Sequence, residues 1–575
     1  REIMAENIGY VVGGSLRGNL RIRLTTKTED VQEGSFVVID SENTLFYSLV
    51  TDLQLGATDP RFSDEKFEQR IDSRLVEMLM GQTLFTNVEA MPVLMQETVP
   101  DGQLSTGEEN QRPGPVKTIP EHHAPVRLAK DDDIANIFGK VGDPGNFHIG
   151  YTLDKNELKV CIDLRKFVKR SSGIFGATGT GKSFLTRMIL AGLMKEKEAS
   201  VFVFDMHNEY AADRIDPDQE NGRVIGLKSK FKQQVEAYGL GTGTMINGTK
   251  AADLLISQND IQSQDILLLT KELNLRETTS STLAALVREK GNQWFSFFMN
   301  LVPGKSTIDD EGKKQWTPDS VEGWAETANI HPIAATTLHS RLSKIMDRSY
   351  VVTDDQQAQK GLEMIVDSLQ NGKHVILTFG RFDSDLDYLL VTNILTRRIR
   401  EEWVKKTEAF NRSAKIEDKP RPLVIAVEEA HKLLTPDMAT QTIFSTIARE
   451  MRKYFVTLLV IDQRPSQIDD EVMSQLGTRI SGWLGDDADI SAVLSGLASK
   501  DQLRGMLSHL NEKQEVLLLG WGVPMPLPVR SRTYDQQFWV ELMGKDSRDE
   551  LENLTADAFN LMMKKPKSKE SGSSP

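Results

Sequence analysis

Cysteine is almost missing. Cys161 stands alone in 575 residues, which excludes an internal disulfide framework and any zinc site built on thiolates. It points to a reducing, cytoplasmic setting, with the thiol acting as a small buried apolar group. Long apolar runs are missing as well. No stretch approaches the roughly 18 residues that a membrane helix needs, so no membrane partner is expected. The opening segment REIMAENIGY has no signal-peptide core, and it begins on Arg1 rather than methionine, as in a trimmed chain.

Positive charge is in deficit. Lys and Arg number 69 against 83 Asp and Glu, a net charge of −14. That excludes a broad basic surface for nucleic acid. It leaves room for a few cations lining a channel, where a ring repeats them. No zinc finger, recognition helix or RNA-binding signature is present. His122 and His123 lie in the Pro/Gly-rich stretch 97–125 without a ligand set at metal spacing, so they read as exposed loop residues. No internal repeat is found.

What is present is an ordinary globular balance, 39% apolar and 26% charged, on a chain long enough for two to four domains. Up to about residue 96, runs such as NIGYVVGG, GSFVVID, TLFYSLVTDLQLG and TLFTNVEAMPVLM alternate with turn residues. They predict a small β-barrel, interrupted by a helical pattern in SDEKFEQRIDSRLVEMLM. From about 150 the pattern becomes strand–helix alternation. Continuous apolar runs, SVFVFD, HVILTFGRF, PLVIAVEEAH, VTLLVIDQRP and EVLLLGWG, predict a parallel sheet covered on both faces, an α/β class. Between about 227 and 370 only amphipathic helical patterns are read, giving a helical insertion. The expected domains are 1–150, a barrel with linker; 151–540, the α/β domain; and 541–575, a helix and disordered tail.

The chemistry concentrates at GIFGATGTGKSF. Residues Gly176, Ala177, Thr178, Gly179, Thr180, Gly181, Lys182 and Ser183 fit G-x-x-x-x-G-K-[ST] between a short strand and a helix, with Phe184 next on that helix. The glycines let the backbone cradle phosphates, Lys182 reaches the β- and γ-phosphates of ATP, and Ser183 holds Mg²⁺. A phosphate loop needs carboxylates at a neighbouring strand end. PLVIAVEEAH supplies Glu428 for the metal, directly or through a water, and Glu429 to polarise the attacking water. A third strand ends in Asp462-Gln463-Arg464, placing the Gln463 amide to orient that water.

Taken in order, GATGTGKS, FDMHNEY, VEEAHKL, IAREMRKY and LLVIDQRPSQID resemble the HerA branch of the HerA/FtsK ATPases, over residues 1 to about 540. The resemblance implies a RecA-like core, an N-terminal HAS barrel and a homohexameric ring that moves double-stranded DNA through its pore. It also implies a partner docked on the barrel: a NurA-type nuclease, or a defence effector such as a sirtuin-like NAD hydrolase. It adds Asp205 and Glu209 near the nucleotide. Arg452 is its arginine finger into the neighbouring subunit, with Arg449 as alternative, and Arg170 its same-subunit arginine. Pore-loop cations are sought at Lys228, Lys230 and Lys232, while Arg17, Arg21 and Arg23 fit the lining of the ring's entry or an exposed barrel face. A nucleotide-gated scaffold for a partner enzyme is the rival reading.

Overall fold

Alternating apolar and polar residues close the first domain into a barrel. The computed structural model describes residues 7–58, 84–98, 113–215, 223–308, 313–353, 355–439, 443–497 and 499–544. The expected helix at 63–80 and the C-terminal tail lie outside them. Six antiparallel strands form the barrel: β1 (Asn7–Gly14), β2 (Leu20–Leu24), β3 (Phe36–Ser41), β4 (Thr44–Ala57), β5 (Leu84–Glu97) and β6 (Pro125–Leu128). Their order is β2-β1-β6-β3-β4-β5, and β5 pairs back on β2 to close it. Closure leaves no free edge strand. Ile8, Leu20, Ile22, Val37, Ile39, Val50 and Val88 fill the interior.

β3 is buried on both faces. Val37 and Ile39 point into the barrel core, while Phe36 and Val38 join the core of the second domain with Tyr47, Leu49 and Phe138. That double burial explains why FVVI reads as an unbroken apolar run. The helix α1 (Asp131–Phe138) is part of this junction.

The second domain is one twelve-stranded sheet. Its strands are β7 (Asn146–Thr152), β8 (Lys159–Asp163), β9 (Ser172–Phe175), β10 (Ser200–Asp205), β11 (Val235–Leu240), β12 (Ala252–Leu254), β13 (His374–Thr378), β14 (Leu423–Glu428), β15 (Val456–Asp462), β16 (Thr478–Ser481), β17 (Glu515–Gly520) and β18 (Leu527–Ser531). The order is β12-β11-β13-β10-β14-β15-β9-β16-β17-β18-β7-β8. The eight strands from β12 to β16 run parallel, and the remaining four continue antiparallel. Helix α2 (Lys182–Glu196) and the long helix Asp385–Ser413 cover its faces with long buried stripes.

Two expected boundaries shift. Residues 146–152 already belong to this sheet, so the barrel ends at Leu128. Residues 227–370 are not free of strands, because β11 and β12 sit at the sheet's edge. The three-residue length of β12 and the glycine and sparse β-branched content of β11, VEAYGL, hid their strand character. The helices that follow, including Thr279–Lys290, Pro332–Met346 and Asp355–Gln370, form the insertion.

One buried histidine gives the fold an acid limit. Val201 N–H donates to Nδ1 of His374 at 3.2 Å. Burial, then the Arg421 charge, push the His374 pKa from 6.5 down to about 4. The unfolded chain therefore takes up this proton below pH 6.5 while the folded chain stays neutral to about pH 4, so stability is full above that window and drains as pH falls through it. On the order of 3 kcal/mol is at stake. His374→Gln is expected to flatten part of the fall in melting temperature between pH 6.5 and 4. Thermal melts across that range check it, and an unchanged slope contradicts it.

Candidate active site

Strand register brings the chemistry to one end of the sheet. Phe175 pairs with Asp462, Ile461 with Glu428, and Val427 with Phe204. The segments leaving β9, β15, β14 and β10 therefore emerge side by side at the carboxyl edge, where α/β sheets bind ligands.

Residues 176–181 turn from β9 into α2. Gly179 and Gly181 have φ of 85° and 87°, a left-handed geometry that glycine adopts without strain. Ala177 N–H is bonded to the Trp483 carbonyl at 3.0 Å, and the Thr180 hydroxyl donates to the Ala177 carbonyl at 2.8 Å. The loop is thus shaped by its own side chains and by the turn after β16. Among the described residues no side chain caps α2, which leaves its first N–H groups to an anion. Lys182, Ser183 and Phe184 are half-buried on the first turn. Burial pulls the Lys182 pKa down, against the charges of Glu429, Asp462, Glu428 and Glu209.

Glu428 is buried at the end of β14. Its Oε1 accepts the Tyr210 hydroxyl at 2.6 Å, and its Oε2 is buried without a hydrogen-bond partner among the described residues. Burial, then the Asp205 charge, raise its pKa to about 8. Glu429 breaks the strand with φ of 46°, a strained conformation for a non-glycine residue. Its Oε1 accepts from Nε2 of Gln463 at 2.9 Å, and Oε1 of Gln463 accepts the Thr178 hydroxyl. Three residues singled out in the sequence thus form one hydrogen-bonded chain from phosphate loop to carboxylate.

Asp205 does other work. Its carboxylate accepts the backbone N–H groups of Glu209, Tyr210 and Ala211 at 2.6, 3.0 and 3.3 Å, so it shapes the FDMHNEY turn. Burial raises its pKa to about 6 against those bonds. Asp205→Ala leaves three backbone donors bare, two of them buried, and is expected to cost on the order of 3 kcal/mol of stability. Denaturant unfolding checks this, and a change under about 0.5 kcal/mol contradicts it. Glu209 lies near Lys182 electrostatically and pairs with Arg214 at 3.3 Å.

Several residues here had no role in the sequence reading. Asp462 is fully buried and accepts the His431 backbone N–H at 2.6 Å, the His431 ring at 3.0 Å and the Arg464 N–H at 2.7 Å. It ties the turn after β14 to the turn after β15 and so fixes Glu429 against Gln463. Burial alone would raise its pKa, but His431 and these N–H groups hold it below the usual range. The Tyr388 hydroxyl donates to the Glu428 carbonyl at 2.6 Å. Arg187 is buried and donates to the Glu209 carbonyl at 3.2 Å. Asp462 had a signal, an apolar run closing on a carboxylate as at Glu428. Tyr388 and Arg187 had none.

The arginines lie elsewhere. Arg170 precedes β9 and Arg452 precedes β15, at the amino ends of strands whose carboxyl ends carry the site. They line a cleft of about 450 Å³ with Arg449, Arg479, Gly477 and Trp521. The expectation that Arg170 serves its own subunit's nucleotide is corrected, because β9 separates it from its own loop. Arg449 pairs with Glu471 at 3.2 Å, and Arg452 is exposed.

The basic patch is also altered. The Lys228 ammonium donates to the Lys232 and Val235 carbonyls at 2.9 and 2.7 Å, and Phe231 is buried. Lys230 lies over the Trp539 ring. Arg17 and Arg21 are exposed on the barrel, while Arg23 lies over the Phe85 ring at 3.4 Å.

Chemically, the carboxyl edge suits a nucleoside triphosphate with a divalent cation. It offers loop N–H groups and a lysine for phosphates, and a hydroxyl and an unpartnered buried carboxylate oxygen for the hydrated ion. The family model described as Helicase HerA, central domain, matches residues 147–399, and that of the HAS barrel domain matches residues 8–77. The DNA double-strand break repair helicase HerA of Sulfurisphaera tokodaii is 26% identical over 547 residues, 94% of each chain. Its namesake in Pyrococcus furiosus is 26% identical over 448 residues, 73% of this chain and 74% of its own. Among solved structures, VirB4 of Thermoanaerobacter pseudethanolicus matches with a TM-score of 0.41 at 14% identity, over 68% of this chain and 98% of its own. Through both its barrel and its phosphate-loop sheet, the chain is similar to the HerA family of P-loop ATPases.

Proposed function

We propose that this chain is an ATP-driven motor for double-stranded DNA that works as a homohexameric ring. One observation carries the reading: phosphate loop and carboxylates stand at one end of the sheet and the arginine cleft at the other, so a complete site takes two copies. Within one copy, the loop N–H groups and Lys182 hold the phosphates. Ser183 and Glu428 hold Mg²⁺, which draws off negative charge from the phosphate oxygens when bound. Glu429 takes the proton of the attacking water, with Gln463 setting its position. Arg452 and Arg170 of an adjoining copy stabilise charge growing on the γ-phosphoryl oxygens.

The DNA assignment is supported by the curated relatives, whose names are those of DNA break repair helicases. A net charge of −14 confines DNA to a limited basic lining, bound by charge and shape without sequence preference. On the resemblance drawn above, the barrel is the docking platform for a NurA-type nuclease or a defence effector such as a sirtuin-like NAD hydrolase. The test is the ATPase rate with and without linear duplex DNA, on material of measured solution mass. A hexamer whose rate rises severalfold with duplex supports the motor. A DNA-independent rate from the same hexamer favours a nucleotide-gated scaffold.

A further inference from the structure

The arginine cleft holds four guanidinium groups, and two of them are already committed. Arg449 pairs with Glu471. Arg479 is buried and donates to the carbonyls of Val493, Ser495 and Met473 at 2.5, 2.6 and 2.7 Å. Among the described residues, Arg170 and Arg452 have no carboxylate partner. They differ in support. Arg452 is exposed on a short 3₁₀ turn, whereas Arg170 lies with its guanidinium 4.5 Å from the centre of the Trp521 ring.

The backbone around Arg170 is built for that contact. A Cβ on Gly477 would lie 2.8 Å from both Cβ and Cδ of Arg170, so only glycine lets the arginine stem pass there. The same Gly477 accepts the Trp521 N–H at 2.6 Å and donates to the Ser171 carbonyl at 2.7 Å. One glycine thus fixes the segment before β9 and the turn after β17 against each other. Trp521 stays 42% exposed, unusual for the largest apolar side chain. Burial does not explain its position; the stacked arginine does. An aromatic face holds a guanidinium flat while leaving its N–H edges free for an anion.

We propose that Trp521 is a positioning residue for ATP cleavage: it is the platform that holds Arg170 in the cleft, oriented toward the terminal phosphate bound by an adjoining copy. This rests on the reading that the cleft serves a neighbour's nucleotide. Trp521 touches no substrate itself, and it stands at the end of the sheet away from its own phosphate loop. Its loss should therefore lower turnover and leave nucleotide affinity alone.

The test uses the full-length protein. Trp521→Ala is expected to lower kcat about tenfold with KM within about twofold, and Trp521→Phe to retain most of the rate. In an Arg170→Ala background, Trp521→Ala is expected to lower the rate no further. A second readout needs no nucleotide. The Trp521 emission, taken as the difference between a protein and its Trp521→Phe counterpart, is expected to change when Arg170→Ala removes the stacked cation. A normal rate for Arg170→Ala overturns Arg170's role and this inference with it, while the cleft's role falls only if Arg452→Ala also turns over at the parental rate. A slow Arg170→Ala beside a normal Trp521→Ala overturns the platform alone. So does an additive loss in the double variant, or a Trp521 emission that does not move.

Discussion

Lys182→Ala is expected to lose ATP binding and hydrolysis together. The ammonium lies half-buried among Glu429, Asp462, Glu428 and Glu209. Burial pulls its pKa down and these carboxylates hold it charged. Removing it does two things at once: the phosphates lose their cation, and the carboxylates that it offset now repel the triphosphate. Charge–charge terms at this range are large away from bulk water. A loss of affinity of about 100-fold or more is expected, roughly 3 kcal/mol. Equilibrium titration with a fluorescent ATP analogue measures it, and binding within threefold of the parent contradicts the phosphate-loop assignment.

Glu429→Gln should separate binding from turnover. The substitution keeps the shape and keeps an oxygen for Gln463, whose Nε2 donates to Glu429 at 2.9 Å. It removes the one feature a proton acceptor needs, a free basic carboxylate. General-base contributions run to about 10²–10⁴-fold, so turnover should fall about 1,000-fold while affinity stays within a few fold. Glu428 cannot take over. Tyr210 holds one of its oxygens, and its burial, with Asp205 close by, favours the protonated form. Normal hydrolysis by Glu429→Gln contradicts the assignment.

Much of this site was legible because phosphate chemistry demands local sequence. Gly179, Gly181 and Lys182 must fall within one short loop, and Glu428 and Glu429 must close an apolar strand, so each leaves a readable pattern. The barrel strands were legible through their alternation. The residues that were not legible act across the chain. Tyr388 reaches Glu428 from a helix 40 positions earlier, and Trp521 meets Arg170 from 351 positions later, as their numbers give. No window of sequence contains both partners. β12 was missed because three residues carry little period-two signal, and β11 because VEAYGL has one β-branched residue and its pairing with β13 comes from far along the chain; β12 in turn pairs with β11. Arg170 was misplaced because proximity to the phosphate loop in sequence is not proximity in space: a strand carries its two ends apart, at about 3.3 Å per residue.

The central claim is that a nucleotide held by one copy is cleaved with an arginine of the next. Mixing Lys182→Ala with Arg452→Ala protein tests it most directly. Each alone should be inactive, one lacking the loop's cation and the other the cation offered to its neighbour. In rings reassembled from equal amounts, roughly a quarter of interfaces join an intact loop to an intact arginine, and ATPase activity should reappear in that proportion. A mixture no more active than the sum of its parts, or Arg452→Ala protein turning over at the parental rate, contradicts the account.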